Sequence, residues 1–461
     1  MSPSTTTATA TGKLVKLAMF IACLFVLLAS LICSAQDADR KSSDPSSNNP
    51  SPNNQGPKVA TPPDPTIERT ISAAEGDESE IARERRFSSW NQYEGKYITA
   101  RAGGGFLYDT VAYAQDQPSK QQFELEFTYK LRDFRFLLAG KFPKFKRPVT
   151  YSFGVMWDAP TRSWFIRQTG VMIGLPDQWG YLFIGRTKEG FSLNKVMTGY
   201  DGWTMERSPM NDATVPLLAD GFKWMGYLPK TGFMWNVGYY NDIFSKGQSF
   251  SSYSSQEVAR LAWLPIRKVS DTHSLLHLGI NLQYGKPVDN ALRLRSRPEA
   301  FPAPYFVDTG KFPATDAFMA GSEAYYRRRN WLFGSEYWVE KVSSSSQHNP
   351  FFNGGDVAVA YVITGETRTY NTVGGFFRAV IPQRPVFSGG PGAWELVSRY
   401  SYINLDSGSI SGGRFGRFTQ QLNWYLSRYV RLELSYGYGS LSRFGLRGNT
   451  QFFQTRIQLQ L

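Results

Sequence analysis

Only two cysteines occur in 461 residues, Cys23 and Cys33. Both fall in the first 35, so a chain that loses this segment on export keeps no thiol. That excludes a disulfide framework, thiolate catalysis and cysteine-ligated zinc. Histidine is nearly as scarce, with His273, His277 and His348 alone. On a strand, His273 and His277 share a face but stand ~13 Å apart, too far for one metal ion. His348 lies in the polar run 343–349. No metal site and no cofactor are expected. Nucleophile–base pairs and glycine-rich phosphate loops are also missing, so an enzyme is not expected. Long apolar runs are absent apart from Leu17–Ile32. Lys13 and Lys16 precede that run and Ser34-Ala35 closes it, the pattern of a signal peptide over 1–35.

What the chain has in quantity is alternation. In Phe453-Gln-Thr-Arg-Ile-Gln-Leu-Gln-Leu461, Phe453, Thr455, Ile457, Leu459 and Leu461 take one face of a strand. Gln454, Arg456, Gln458 and Gln460 take the other. The same two-sided pattern is read over 123–131, 394–402 and 431–438. Large apolar residues should face lipid and charged ones a lumen, since each Lys or Arg at the bilayer midplane costs about 2–4 kcal/mol. Aromatics make up 15% of the chain, enough for two interfacial girdles. An all-β fold follows: a transmembrane antiparallel β-barrel over 91–461. At roughly 23 residues per strand and connection it holds about 16 strands. Short periplasmic turns are expected at 228–232, 327–330 and 426–430. Long extracellular loops are expected at 297–320, 343–355 and 383–393. Residues 36–90, first Ser/Pro-rich and then densely charged, should be a disordered periplasmic segment with a short helix near Glu80–Arg86.

Charge sits in the barrel. Residues 87–461 hold 42 basic against 28 acidic side chains, a net +14. Such a surplus draws anions into a lumen or binds lipopolysaccharide and lipid phosphates outside. Export and alternation exclude nucleic acid. The densest basic motif is Arg293-Leu-Arg-Ser-Arg297, three guanidinium groups on one face if the segment is extended. It reads either as successive weak anion sites on a pore wall or as the solvated face of an outer loop.

Arg293-Leu-Arg-Ser-Arg-Pro-Glu-Ala300, with Ala303-Pro-Tyr-Phe-Val-Asp-Thr-Gly310, resembles the signature of the phosphate-selective porin O and P family. Leu131–Lys141, Gly185–Leu193, Met205–Ser208, Thr364–Arg368, Trp394–Ile403, Asn423–Leu426 and the final strand add to the resemblance, in order over about 95–461. It implies a trimeric 16-stranded outer-membrane porin that passes small anions, phosphate or related oxyanions, along an arginine ladder to a basic constriction. The ladder maps to Arg293, Arg295 and Arg297, and the early-strand arginines to Arg132 and Arg135. The constriction-feeding motif maps to Lys188 and Arg207, whose pairing with Glu189 and Glu206 reads rather as pinning an inward loop. Asp133 stands where the family has a second arginine, and a carboxylate beside Arg132 is expected to cancel its charge. The alternative is a structural or adhesive barrel with a plugged lumen.

Overall fold

The computed structural model describes residues 91–158, 162–178, 180–215, 218–244, 252–267 and 273–461, and the backbone of Ile67–Glu68. The signal segment and the helix expected near Glu80–Arg86 lie outside the described residues. Ile67–Glu68, within the stretch expected to be disordered, pairs in parallel with Tyr370–Asn371.

Sixteen antiparallel staves close into a barrel. They are β1 (Thr99–Gln115), β2 (Thr128–Lys141), β3 (Val149–Asp158), β4 in two pieces (Ser163–Ile166 and Thr169–Leu175), β5 (Gly180–Thr187), β6 (Ala219–Leu228), β7 (Phe233–Asn241) and β8 (Tyr253–Arg267). There follow β9 (Leu275–Pro287), β10 (Asp316–Arg328), β11 (Trp331–Ser343), β12 (Phe351–Val362), β13 (Ala393–Ser407), β14 (Ile410–Tyr425), β15 (Val430–Arg443) and β16 (Leu446–Gln460). Closure is made by β16 against β1, from Gln460 opposite Gly105 to Thr450 opposite Gln115. A closed barrel leaves no unpaired sheet edge in lipid. The alternation reads out directly on β16. Ile457 and Leu459 are 46% and 43% exposed on the outer wall, while Arg456 and Gln458 are 2% and 3% exposed inside.

Two expectations need correction. The stretch 123–131 is not a single two-faced strand. Its strand begins at Thr128, and Phe123 and Leu125 pack instead on an interior apolar cluster. Phe123 stacks on Phe306 at 5.2 Å. Hydrophobic burial on a loop outweighed the period-2 pattern. The long stretch 383–393 also lies at the opposite end from the one assigned. It belongs to the connection between β12 and β13, at the same end as the tight turns 229–232, 329–330 and 426–429. The other end holds the long loops 188–218 and 288–315 but also two-residue hairpins at 408–409 and 444–445. Phe444 and Gly445 both take positive φ (53° and 77°), which closes so tight a turn.

Three connections fold into the barrel. Loop 188–218 and loop 288–315 enter from one end, and the 363–392 insert enters from the other. Phe191, Met210, Ala300, Phe306 and Phe312 from the loops join Tyr113, Phe352, Phe415 and Phe452 of the wall in one buried apolar cluster. Leu193, Val196 and Trp203 join Tyr370, Phe376 and Phe377 of the insert in a second. Burying each such ring contributes roughly 1.5–3 kcal/mol. The insert is further tied by Arg368, which pairs with Glu395 (2.6 and 2.7 Å) and donates to the Tyr425 hydroxyl. Arg260 grips the Gly374 and Gly375 carbonyls while paired with Glu323. Packing of the two clusters leaves open space beside β1, β2 and β16.

Candidate functional site

A bulge in the wall turns charged side chains into that space. Along β2, Asp133 lies opposite Leu107 but Leu131 lies opposite Tyr108, so Arg132 has no partner on β1. One extra residue turns consecutive side chains to the same side. Arg132, Asp133 and Arg135 therefore all reach the interior. Asp133 is bound by Arg135 (Nε to Oδ1, 2.7 Å), while Arg132 forks onto Glu206 of the inward loop at 2.7 and 3.2 Å. The expectation that Asp133 cancels Arg132 is corrected: the bulge brings both side chains inside, but Arg132 is taken by Glu206 and the Asp133 carboxylate neutralises Arg135. Arg456 on β16 joins the cluster, with both Asp109 oxygens at 2.6 Å and Glu206 at 2.5 Å. Arg135 also lies over the Tyr200 ring at 4.7 Å. Tyr200 reaches that place because Gly105, on the wall beneath it, has no Cβ to collide with the ring.

These groups surround a cavity of about 60 Å³. Its walls carry seven cationic side chains (Arg132, Arg135, Arg167, Lys188, Lys195, Arg207 and Arg456) against two carboxylates, Asp133 and Glu206. Lys188 donates to the Val196 and Met197 carbonyls, and Arg207 to those of Asn194, Lys195 and Met197. Both thus hold the end of the short helix Leu193–Val196, and so pin the loop while lining the cavity. On that loop, burial alone would raise the Glu206 carboxyl, but Arg132 and Arg456 hold it down to about 2. Burial pushes the Lys195 ammonium down to about 7, against the pull of Glu189 and with the repulsion of Arg207 and Lys188.

The period-2 arginines lie in loop 288–315. Ala291–Leu292 pairs with Phe312–Pro313 and Arg295–Ser296 with Val307–Asp308, so the segment is extended. Leu292, Leu294 and Ser296 are buried beneath, which leaves Arg293, Arg295 and Arg297 on one face. Arg293 is forked onto Asp308 at 2.9 and 2.6 Å. Tyr305 lies between Arg295 (4.1 Å) and Arg297 (4.2 Å). Phe301 lies between Arg297 (5.3 Å) and Arg132 (4.5 Å). Rings and guanidinium groups thus alternate from the loop down to the cavity. All seven residues singled out from the sequence belong to this one tract.

Three cations of the cavity were not singled out. Arg456 was legible as an inward residue of the last strand. Arg167 sits in the break between the two pieces of β4, where alternation fails. Lys195 sits on a loop without periodicity. His277 serves structurally, with Nδ1 2.6 Å from the Tyr370 hydroxyl. Arg327, expected as part of a charged turn, points inward and donates to the Arg368 carbonyl.

A family model described as phosphate-selective porin O and P matches residues 100–461. The chain belongs to that family. The family and the fold are those of an outer-membrane channel, integral to that membrane. An uncharacterized protein of Caulobacter vibrioides is 29% identical over 166 residues, 35% of this chain. The match spans only about a third (33%) of that relative's length. Among solved structures, the anion-selective porin from Comamonas acidovorans superposes with a TM-score of 0.51 at 12% identity, covering 79% of this chain and all of that one. In-vitro folded OmpT, an outer membrane protein of Vibrio cholerae, gives 0.52 at 12%, covering 80% and 99%. OmpF of Salmonella typhi, in complex with daunomycin, gives 0.51 at 8%, covering 80% and 100%. These likenesses are of fold.

Proposed function

We propose that this porin passes small oxyanions, phosphate or its chemical relatives, by passive diffusion along an off-axis path. The single observation that carries the reading is the continuity of the basic tract. Arg293, Arg295 and Arg297 lead through Tyr305 and Phe301 to Arg132, and so to a cavity with seven cations and two carboxylates. An anion entering the loop end meets several weak sites in series, and a series of weak sites conducts where one tight site would trap. Guanidinium forks match the oxygen geometry of phosphate. Asp133 holds Arg135 and Glu206 holds Arg132 and Arg456, which tempers the field and keeps the anion from lodging. We further propose that the porin works as a homotrimer, with 36–90 in the periplasm and lipopolysaccharide around its outer rim.

A second reading, a structural barrel with a plugged lumen, is favoured by the three inserted connections and their two apolar clusters. Zero-current reversal potential in planar bilayers under a chloride gradient, followed by phosphate titration, separates the two. Anion selectivity with chloride current blocked by phosphate supports the oxyanion porin. Folded protein without conductance leaves the structural barrel.

A further inference from the structure

The connection between β2 and β3, at the end of the barrel with the tight turns, reads Phe142-Pro-Lys-Phe-Lys-Arg-Pro148. No other described turn at that end sets three basic residues among two phenylalanines. Beside it lies a small hairpin, Gln92–Glu94 against Thr99–Arg101, with Lys96 and Tyr97 at its tip. The two are joined through Thr99, whose hydroxyl accepts from the Lys141 N–H (3.1 Å) and whose carbonyl accepts from the Tyr151 hydroxyl (2.9 Å).

The rings of this rim lie on the bilayer side. Tyr151 and Phe153 occupy the outward row of β3, and Phe153 is 42% exposed there. Phe142 packs on Tyr151 at 5.2 Å, and Phe145 packs on Phe142 at 6.0 Å. Phe145, Tyr93 and Tyr97 remain exposed, with the Lys96 ammonium 5.6 Å from the Tyr97 ring. Among them Lys144, Lys146 and Arg147 are exposed. The acidic groups facing this cluster are Glu94 on the hairpin and Asp177 across the rim, which Arg147 meets at 3.4 Å with both side chains largely in solvent. The turn is held in shape by Pro143 and Pro148, by the Phe142 N–H on the Val149 carbonyl and by the Gly174 N–H on the Pro148 carbonyl. A rigid turn with rings toward hydrocarbon and cations beside them fits the boundary where acyl chains give way to phosphates.

We propose that this rim is a docking site for anionic diacyl phospholipid headgroups, phosphatidylglycerol being the type. Lys96, Lys144, Lys146 and Arg147 take the phosphate, while Phe142, Phe145 and Tyr97 sit at the level of the glycerol. The site is on the outside of the barrel wall, at the end with the tight turns, so it stands apart from the conduction path. A basic side chain near an anionic surface favours it by about fivefold.

The test is native mass spectrometry of the mature chain released from nanodiscs holding equal phosphatidylglycerol and phosphatidylcholine. The wild type should retain phosphatidylglycerol with at least fivefold enrichment. K144Q/K146Q/R147Q, all at exposed positions, should fall to near parity while keeping heat-modifiable migration on gels. F145S should lose part of the enrichment at unchanged charge. K286Q/K341Q, exposed lysines at the loop end, should keep it in full. No preference in the wild type, or unchanged enrichment in the triple variant, overturns the proposal. So does preferential occupation by lipid A when it is added to the nanodiscs, since the diacyl assignment then fails.

Discussion

Arg132 on a wall bulge and Glu206 on the inward loop share two hydrogen bonds, at 2.7 and 3.2 Å, and Arg456 of the last stave closes on the same carboxylate at 2.5 Å. One loop residue thus latches the constriction to both sides of the barrel seam. E206Q should release Arg132 toward the lumen, while Arg456 stays forked on Asp109. We expect a higher anion-to-cation permeability ratio and noisier single-channel current, as the loop loses its tether. A ratio equal to wild type would show that the latch does not shape the path.

The latch should also resist acid. Glu206 is held down to about 2, so it stays ionised through most of the acidic range. Its contribution to stability is present above the ordinary carboxylate value and is lost only as pH falls from there toward 2. Conductance recorded from pH 6 to pH 4 should show no step assignable to Glu206. A step that E206Q abolishes would contradict the assignment.

Lys195 runs the other way. Held down to about 7, it is charged below that pH and neutral above it. The folded chain holds this proton less tightly than the unfolded chain, so this group's effect on stability grows more favourable as pH rises from about 7 toward 10. Anion selectivity should fall between pH 6 and pH 8, and K195M should flatten the curve at its high-pH level. Reversal potentials across that range decide it.

Asp133 neutralises Arg135 rather than Arg132. D133N should remove a negative charge from the cavity wall, and phosphate should then block chloride current at roughly five- to tenfold lower concentration, the scale of one partly screened charge at close range. Unchanged block would place Arg135 off the path.

The 363–392 insert hangs on a buried pair. R368L leaves Glu395 uncompensated inside the barrel, and breaking such a pair costs about 3–5 kcal/mol. The heat-modifiability midpoint should drop. R368L/E395Q should recover much of it, since the stranded charge is then gone. Failure of the double variant to recover would show that the insert is held by its apolar cluster instead.

Much of this molecule was legible in the chain because alternation is a local property. A strand residue's face follows from its neighbours two positions away, so the outward Ile457 and Leu459 and the inward Arg456 and Gln458 of β16 could be read directly. The common face of Arg293, Arg295 and Arg297 followed from the same rule, and family membership was carried by those motifs. The bulge at Arg132 was not legible, because it depends on the register with β1 and not on β2 alone. Nor was the inward fold of 363–392, which is driven by burial of Tyr370, Phe376 and Phe377 against residues of the wall and of the inward loop. The contact of Glu206 with Arg456 joins positions 250 residues apart. Composition and period determined a basic barrel with two unlike faces. Only closure and the packing of three inserted connections decided where its cations meet, because those contacts arise from register and burial across the whole barrel.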